Sequence, residues 1–186
     1  MVAVSVLSLG PVDELLRLLD DARADERGAS RERERFLRQA AEEGARLAGT
    51  LVDLAERAST VTVRMESGRA HHGPVRLVGA DFCVLATEAG DVWLALRGVS
   101  TIRPHAGERH APATGDRPAI DLLLVEALAR AAPERPRLAL VTAGGESLAG
   151  ELRAVGEDVL TLRLDGDPRG VCYVSTSAIR EVLRSG

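Results

Sequence analysis

Val61-Thr62-Val63-Arg64-Met65-Glu66-Ser67-Gly68 decides the fold. Val61, Val63 and Met65 alternate with Thr62, Arg64 and Glu66, and a period of two places the apolar residues on one face of a half-buried strand. Ser67-Gly68 then supplies a tight turn, where glycine tolerates the positive φ of a hairpin. Turn signals and apolar runs alternate onward to Ile102, at Gly79-Ala80 and Ala89-Gly90-Asp91. Four or five short strands fit this stretch, at the spacing of a small β-barrel. Upstream the period changes. Leu37, Ala40, Ala41, Leu47, Ala48, Leu51 and Leu54 form an i, i+3/i+4 stripe, with Ser30 as N-cap and an end expected near Ala58.

A second strand-rich block, from Leu138 to Leu183, aligns to the first. A shift of 77 residues sets Gly68 on Gly145, Gly73 on Gly150, Arg76 on Arg153, Gly79 on Gly156 and Asp81 on Asp158. Val61 and Val63 fall on Leu138 and Leu140. Three extra residues in the loop Asp165–Gly170 restore register, so that Trp93 meets Tyr173, Leu94 meets Val174, Val99 meets Ile179 and Ile102 meets Val182. A helix over 119–132 precedes this block, with Ile120, Leu123, Leu124, Ala127, Leu128 and Ala131 on one side; Pro133 and Pro136 end it. The expected organisation is an N-terminal helical and charged segment (1–34), a helix plus first barrel (35–104), a polar linker (105–118) and a helix plus second barrel (119–186). Within the first segment, residues 1–9 are apolar and β-prone, 12–23 read as a short helix, and 20–35 carry dense charge of both signs, the mark of a solvated face. The repeated Asp81 and Asp158 read as turn residues, whose side chains hold the turn.

Composition narrows the functional classes. All 24 basic residues are Arg, the net charge is −4, and aromatics make up 2% of the chain. No segment is strongly basic, which weighs against a dedicated polyanion binder without excluding a local patch. Cys83 and Cys172, the only cysteines, sit in apolar strand-like runs and read as buried free thiols. No apolar run approaches the ~20 residues of a membrane span, and the first residues lack the basic n-region of a signal peptide, so a cytoplasmic protein without membrane contact is expected. His71-His72 has Leu148-Ala149 as its counterpart and no third ligand nearby, so no metal is expected. No P-loop, G-x-S-x-G or dinucleotide fingerprint is present, and neither an enzyme nor a small-molecule cofactor is expected. Trp93 and Tyr173 read as core or interface residues ahead of base-stacking ones.

The order of helix and five short strands, with Gly at the first turn and again inside the second strand, resembles the Sm-like fold. Val61–Gly68 looks like the first Sm strand and turn, Gly73-Pro74-Val75 like the second-strand step, and Leu96-Arg97-Gly98-Val99-Ser100-Thr101-Ile102 like the last Sm motif, close to the matching segment of the bacterial RNA chaperone Hfq. The chain is also similar to bacterial proteins labelled Fis-family transcriptional regulators, although no helix-turn-helix is visible. The resemblance implies a mainly β fold with helices: two tandem Sm-like (SH3-like) small barrels, each preceded by a helix. It implies open strand edges that recruit partners, either each other within one chain or three chains in a six-barrel ring. The family's base-holding Asp and Asn fall on Gly79 and Cys83, and the Lys-His pair of Hfq falls on Arg97-Gly98. The functional expectation is therefore a non-enzymatic module for protein interaction, self-association or regulation. The alternative is RNA binding on a remodelled surface built from Arg64, Arg69, Arg76, Arg97 and Arg103.

Overall fold

The computed structural model describes residues 26, 30–40, 43–105, 120–166 and 170–184. The chain divides into two compact units, Met1–Gly44 and Ala45–Gly186. In the first, residues 30–40 are helical and exposed. The β-prone residues 1–9 and the expected helix over 12–23 lie outside the described residues, as do most of the linker and the centre of the Asp165–Gly170 loop. The second unit is mainly β with helices. Ten antiparallel strands form one open sheet, in the order β5 (Val99–Pro104), β1 (Thr60–Met65), β2 (Ala70–Val78), β3 (Phe82–Thr87), β4 (Gly90–Ala95), β10 (Ile179–Arg184), β6 (Arg137–Thr142), β7 (Ser147–Val155), β8 (Val159–Leu164) and β9 (Val171–Ser175).

The helical stripe is interrupted. Gly44 is a turn residue, Ala45 and Arg46 are not helical, and α1 is Leu47–Glu56. The stripe is buried only beyond this break, at Leu51 and Leu54, whereas Leu37 and Leu47 are 61% and 41% exposed; periodicity marks which residues share a face, not whether that face meets a core. Ala58 takes φ +52°, and Ser59 N donates to Leu54 O at 2.9 Å, so the chain leaves the helix and enters β1 (Thr60–Met65) at once. Val61, Val63 and Met65 are buried, as the alternation requires. Gly68 takes φ +85° in the turn to β2 (Ala70–Val78).

β2 is long because it serves two neighbours. Its first half pairs with β1, from Thr60↔Pro74 to Arg64↔Ala70. Its second half, beyond an irregularity between Val75 and Leu77, pairs with β3 (Phe82–Thr87). The bend needs Gly73: a Cβ there would stand 1.9 Å from Ala86 O of β3. β4 (Gly90–Ala95) follows by a hairpin, a 3-10 turn over Leu96–Gly98 reverses the chain, and β5 (Val99–Pro104) returns to pair with β1.

The second half of the unit is built from α2 (Leu124–Ala131), a 3-10 turn Ala132–Glu134, β6 (Arg137–Thr142), β7 (Ser147–Val155), β8 (Val159–Leu164), β9 (Val171–Ser175), a 3-10 turn Thr176–Ala178 and β10 (Ile179–Arg184). α2 starts later than the expected 119–132, because Ile120 N donates to Val78 O and ties that residue to β2. β7 is the long strand here. It shifts register between Leu152 and Ala154, and a Cβ on Gly150 would stand 2.3 Å from Arg163 O of β8. Gly145 takes φ +81° in the β6–β7 turn.

Two apolar clusters form the core. One joins Leu51 and Leu54 of α1 to β1–β4 residues such as Val61, Val63, Leu85 and Leu94. The other joins Leu124 and Leu128 of α2 to Leu138, Leu140, Leu160, Leu162 and Val182, and it takes Phe82, Val84 and Ala95 from β3 and β4. Cys83 is buried and Cys172 half-buried, both as free thiols. Burial in apolar surroundings pushes the Cys83 thiol up to about 12.

Candidate functional site

Two places in the sheet carry polar chemistry or unfilled backbone groups: the seam where β4 meets β10, and the two terminal strands β5 and β9. At the seam the strands pair antiparallel, Glu181↔Leu94, Val182↔Trp93 and Leu183↔Val92. Trp93 is half-buried and stacks on Phe82, with ring centroids 5.8 Å apart. Leu128, Ala131, Pro136, Leu138 and Val182 wall the same pocket.

Glu181 is fully buried, which only paired charges sustain. Its carboxylate accepts from Ser67 Oγ at 3.1 Å and meets His71 Nε2 at 2.7 Å and Arg69 Nε at 3.2 Å. Burial raises its pKa, but the hydrogen bonds from His71 and Ser67 and the nearby charges outweigh that, leaving it below the ordinary carboxylate range. The first hairpin is thereby tied to the last strand, more than a hundred residues away. Ser67 Oγ and His71 Nε2 both meet the Glu181 carboxylate, so the trio links the first hairpin to β10.

Asp81 and Arg97 cross the same seam. Asp81 Oδ1 accepts from Leu124 N at 2.7 Å, at the start of α2, where the helix dipole favours a carboxylate. Sequence alone made Asp81 a turn residue; its carboxylate reaches an element over forty residues away. Arg97 donates through Nη2 to Thr176 O at 2.7 Å and Ile179 O at 3.0 Å, and its Nη1 lies 3.8 Å from Asp81 Oδ2. These groups, with Leu124, Val125, Leu128 and Ser177, line a cleft of about 160 Å³. Arg180 Nε bonds Glu66 Oε1 at 2.6 Å and packs over Gly98, where a Cβ would meet Arg180 Cδ at 2.4 Å.

Of the five arginines expected to hold RNA, Arg64 lies on β1, Arg69 in the β1–β2 turn, Arg76 on β2, Arg97 in the 3-10 turn and Arg103 on β5. Arg97 and Arg69 are engaged at the seam, and Arg76 pairs with Asp91 at 3.0 Å. Arg64 and Arg103 come closest to a common surface, since the β1–β5 register sets Arg64 opposite Thr101 and Arg103 opposite Thr62. His72 joins that outward face through its Nδ1 contact with Thr62 Oγ1 at 3.1 Å. On the other half of the sheet, Arg135, Arg137 and Arg163 line an open cleft with Glu151 and Asp165. Those acids pair with their neighbours: Arg153 and Arg163 each reach Glu151 at 2.6 Å, and the hydrogen bond from Arg153 chiefly holds its carboxyl low. Among the described residues, no group of three or more His, Cys, Asp or Glu is arranged to hold a metal ion. Among the described residues, no helix is long and apolar enough to cross a membrane.

The seam cluster was the part that sequence reasoning missed. Its one visible signal is Glu181, a charge set inside the apolar run Ile179-Arg180-Glu181-Val182-Leu183. Comparison with protein-family models, with curated proteins and with solved structures yields no match to this chain.

Proposed function

We propose that this protein is a non-enzymatic tandem Sm-like module that acts through protein contacts at its open sheet edges. The two halves of the sheet support this reading by their matching construction. Each runs from a six-residue strand to a nine-residue bent strand with a buried Gly, then two more strands, a 3-10 turn and a return strand that pairs with the first. They therefore read as two copies of one small barrel, joined edge to edge.

The observation that carries the function is the fate of the edges. The β4–β10 pairing uses one edge of each half and leaves β5 and β9 at the ends of the sheet. Unpaired N–H and C=O groups on such edges accept another strand. β9 presents Val171 and Tyr173, 51% and 73% exposed, with neither Lys nor Pro to blunt the edge. The polar seam groups Ser67, His71, Glu181, Asp81 and Arg97 are hydrogen-bonded to one another or to backbone across the seam, which supports a role in cohesion.

RNA binding is the second reading, supported by the Arg64, Arg103 and His72 face. Fluorescence anisotropy with U-rich and A-rich oligonucleotides separates the two. The assembly reading expects no saturable binding at near-physiological salt. Saturable binding that falls steeply with salt and weakens in Arg64→Ala with Arg103→Ala would overturn it in favour of RNA.

A further inference from the structure

The two halves of the sheet share a framework but not a charge pattern. In the second half the registers set Arg137 opposite Glu151 and Glu151 opposite Arg163, a charged row across β6, β7 and β8. In the first half the repeat places Thr60, Pro74 and Ala86 in that row. There β1 pairs with β2, and β2 with β3, in the same order without those charges. Strand pairing therefore does not call for the charged row.

The row borders an open cleft of about 500 Å³ that Arg135 also lines, a size typical of small-molecule sites. The two acids of the cleft are engaged. Glu151 meets Arg153 and Arg163 at 2.6 Å each, and Asp165 Oδ2 meets Arg137 Nη2 at 2.7 Å. Arg135 is different: it is exposed, and among the described residues its guanidinium has no hydrogen-bond or ion-pair partner. It closes the 3-10 turn Ala132–Glu134 with φ +49°, and its counterpart Ala58 takes φ +52°. Both halves thus need a left-handed residue at this place, but only the second puts a cation there. Three guanidiniums against two carboxylates leave the cleft with positive charge and spare N–H donors.

We propose that this cleft binds the phosphate group of a small organic phosphomonoester, with Arg135 and Arg163 as its main donors. A carboxylate has only two oxygens, and two guanidiniums occupy both of them at Glu151. A phosphate offers three acceptor oxygens. It can take Arg135 and also accept from the N–H groups of Arg163 and Arg137 that the acids leave unused. Glu151 and Asp165 hold those two side chains in place without cancelling the charge of the cleft. The remaining space takes the organic part of the ligand, with Leu164 as its apolar wall. This site is separate from the edge contacts proposed above and does not depend on them.

Isothermal titration calorimetry on the full-length chain at near-physiological salt tests the site. The probes are pyrophosphate, adenosine monophosphate and an oligonucleotide lacking a terminal phosphomonoester. Saturable binding of pyrophosphate or the monophosphate is expected, weakened about tenfold or more by Arg135→Ala. Because Arg135 is exposed and unpaired among the described residues, that variant should keep the wild-type circular dichroism and melting temperature. Arg64→Ala with Arg103→Ala, on the other half of the sheet, should leave the affinity unchanged. Glu151→Gln, which releases two guanidiniums, should tighten binding. Saturation by neither small probe overturns the proposal, as does binding that Arg135→Ala leaves intact. Arg135-dependent binding of the oligonucleotide alone also overturns it, and would make the cleft a phosphodiester surface that serves the RNA reading.

Discussion

Glu181 is the residue on which most of the seam depends. Removing one partner from a buried, hydrogen-bonded charge leaves the others unsatisfied. Glu181→Ala is expected to cost about 3 kcal/mol, the low end for a buried ion pair because Arg69 is partly exposed. Urea denaturation measures this; a change within experimental error would mean that the cluster is not what binds β10 to the first hairpin. Its pKa is depressed on folding, so its contribution is fully present above the ordinary carboxylate value of 4.5 and is lost as pH falls through the lower folded value. Acid titration of wild type against Glu181→Gln should show that loss only in wild type. Cys83 gives a second check at this scale. With its thiol pushed up to about 12, it should resist alkylation near neutral pH in the folded protein and react only on unfolding. Rapid labelling of Cys83 in the native state would contradict the packing described for β3.

At the scale of elements, the alternation of Val61–Met65 was legible because period two survives any tertiary context that buries one face. The glycines at 68, 73, 145 and 150 were legible for the same reason, since each answers a backbone demand. Gly73→Ala and Gly150→Ala push a Cβ into the carbonyls of Ala86 and Arg163, and each is expected to cost about 2 kcal/mol or more. Gly144→Ala, with nothing nearer than 3.8 Å, serves as the control and should stay within about 0.5 kcal/mol of wild type. Thermal or chemical melts decide this, and equal effects at all three sites would refute the close approach. The break at Gly44–Arg46 and the late start of α2 were not legible. The first leaves the apolar stripe unchanged, and the second comes from a backbone bond between Ile120 and Val78 that no local pattern records. The seam groups escaped for a related reason: His71 and Glu181 are brought together only by the β4–β10 pairing, and pairing between distant strands is not written in either strand alone.

At the scale of the whole molecule, the two halves of the sheet meet at one seam, β4 against β10, and β5 and β9 lie at its two ends. A marginal core of Val, Leu, Ile and Ala gains from such sharing, because small modules bury too little surface by themselves. The α2 cluster takes Phe82, Val84 and Ala95 from the other half. The most direct test is the mass of the full-length chain in solution by sedimentation velocity across a wide concentration range. Self-association through the open sheet edges predicts a species that is an integer multiple of the 19.7 kDa chain, disrupted by Tyr173→Arg without loss of folded structure. A 19.7 kDa monomer at every concentration, unchanged by Tyr173→Arg, would contradict it.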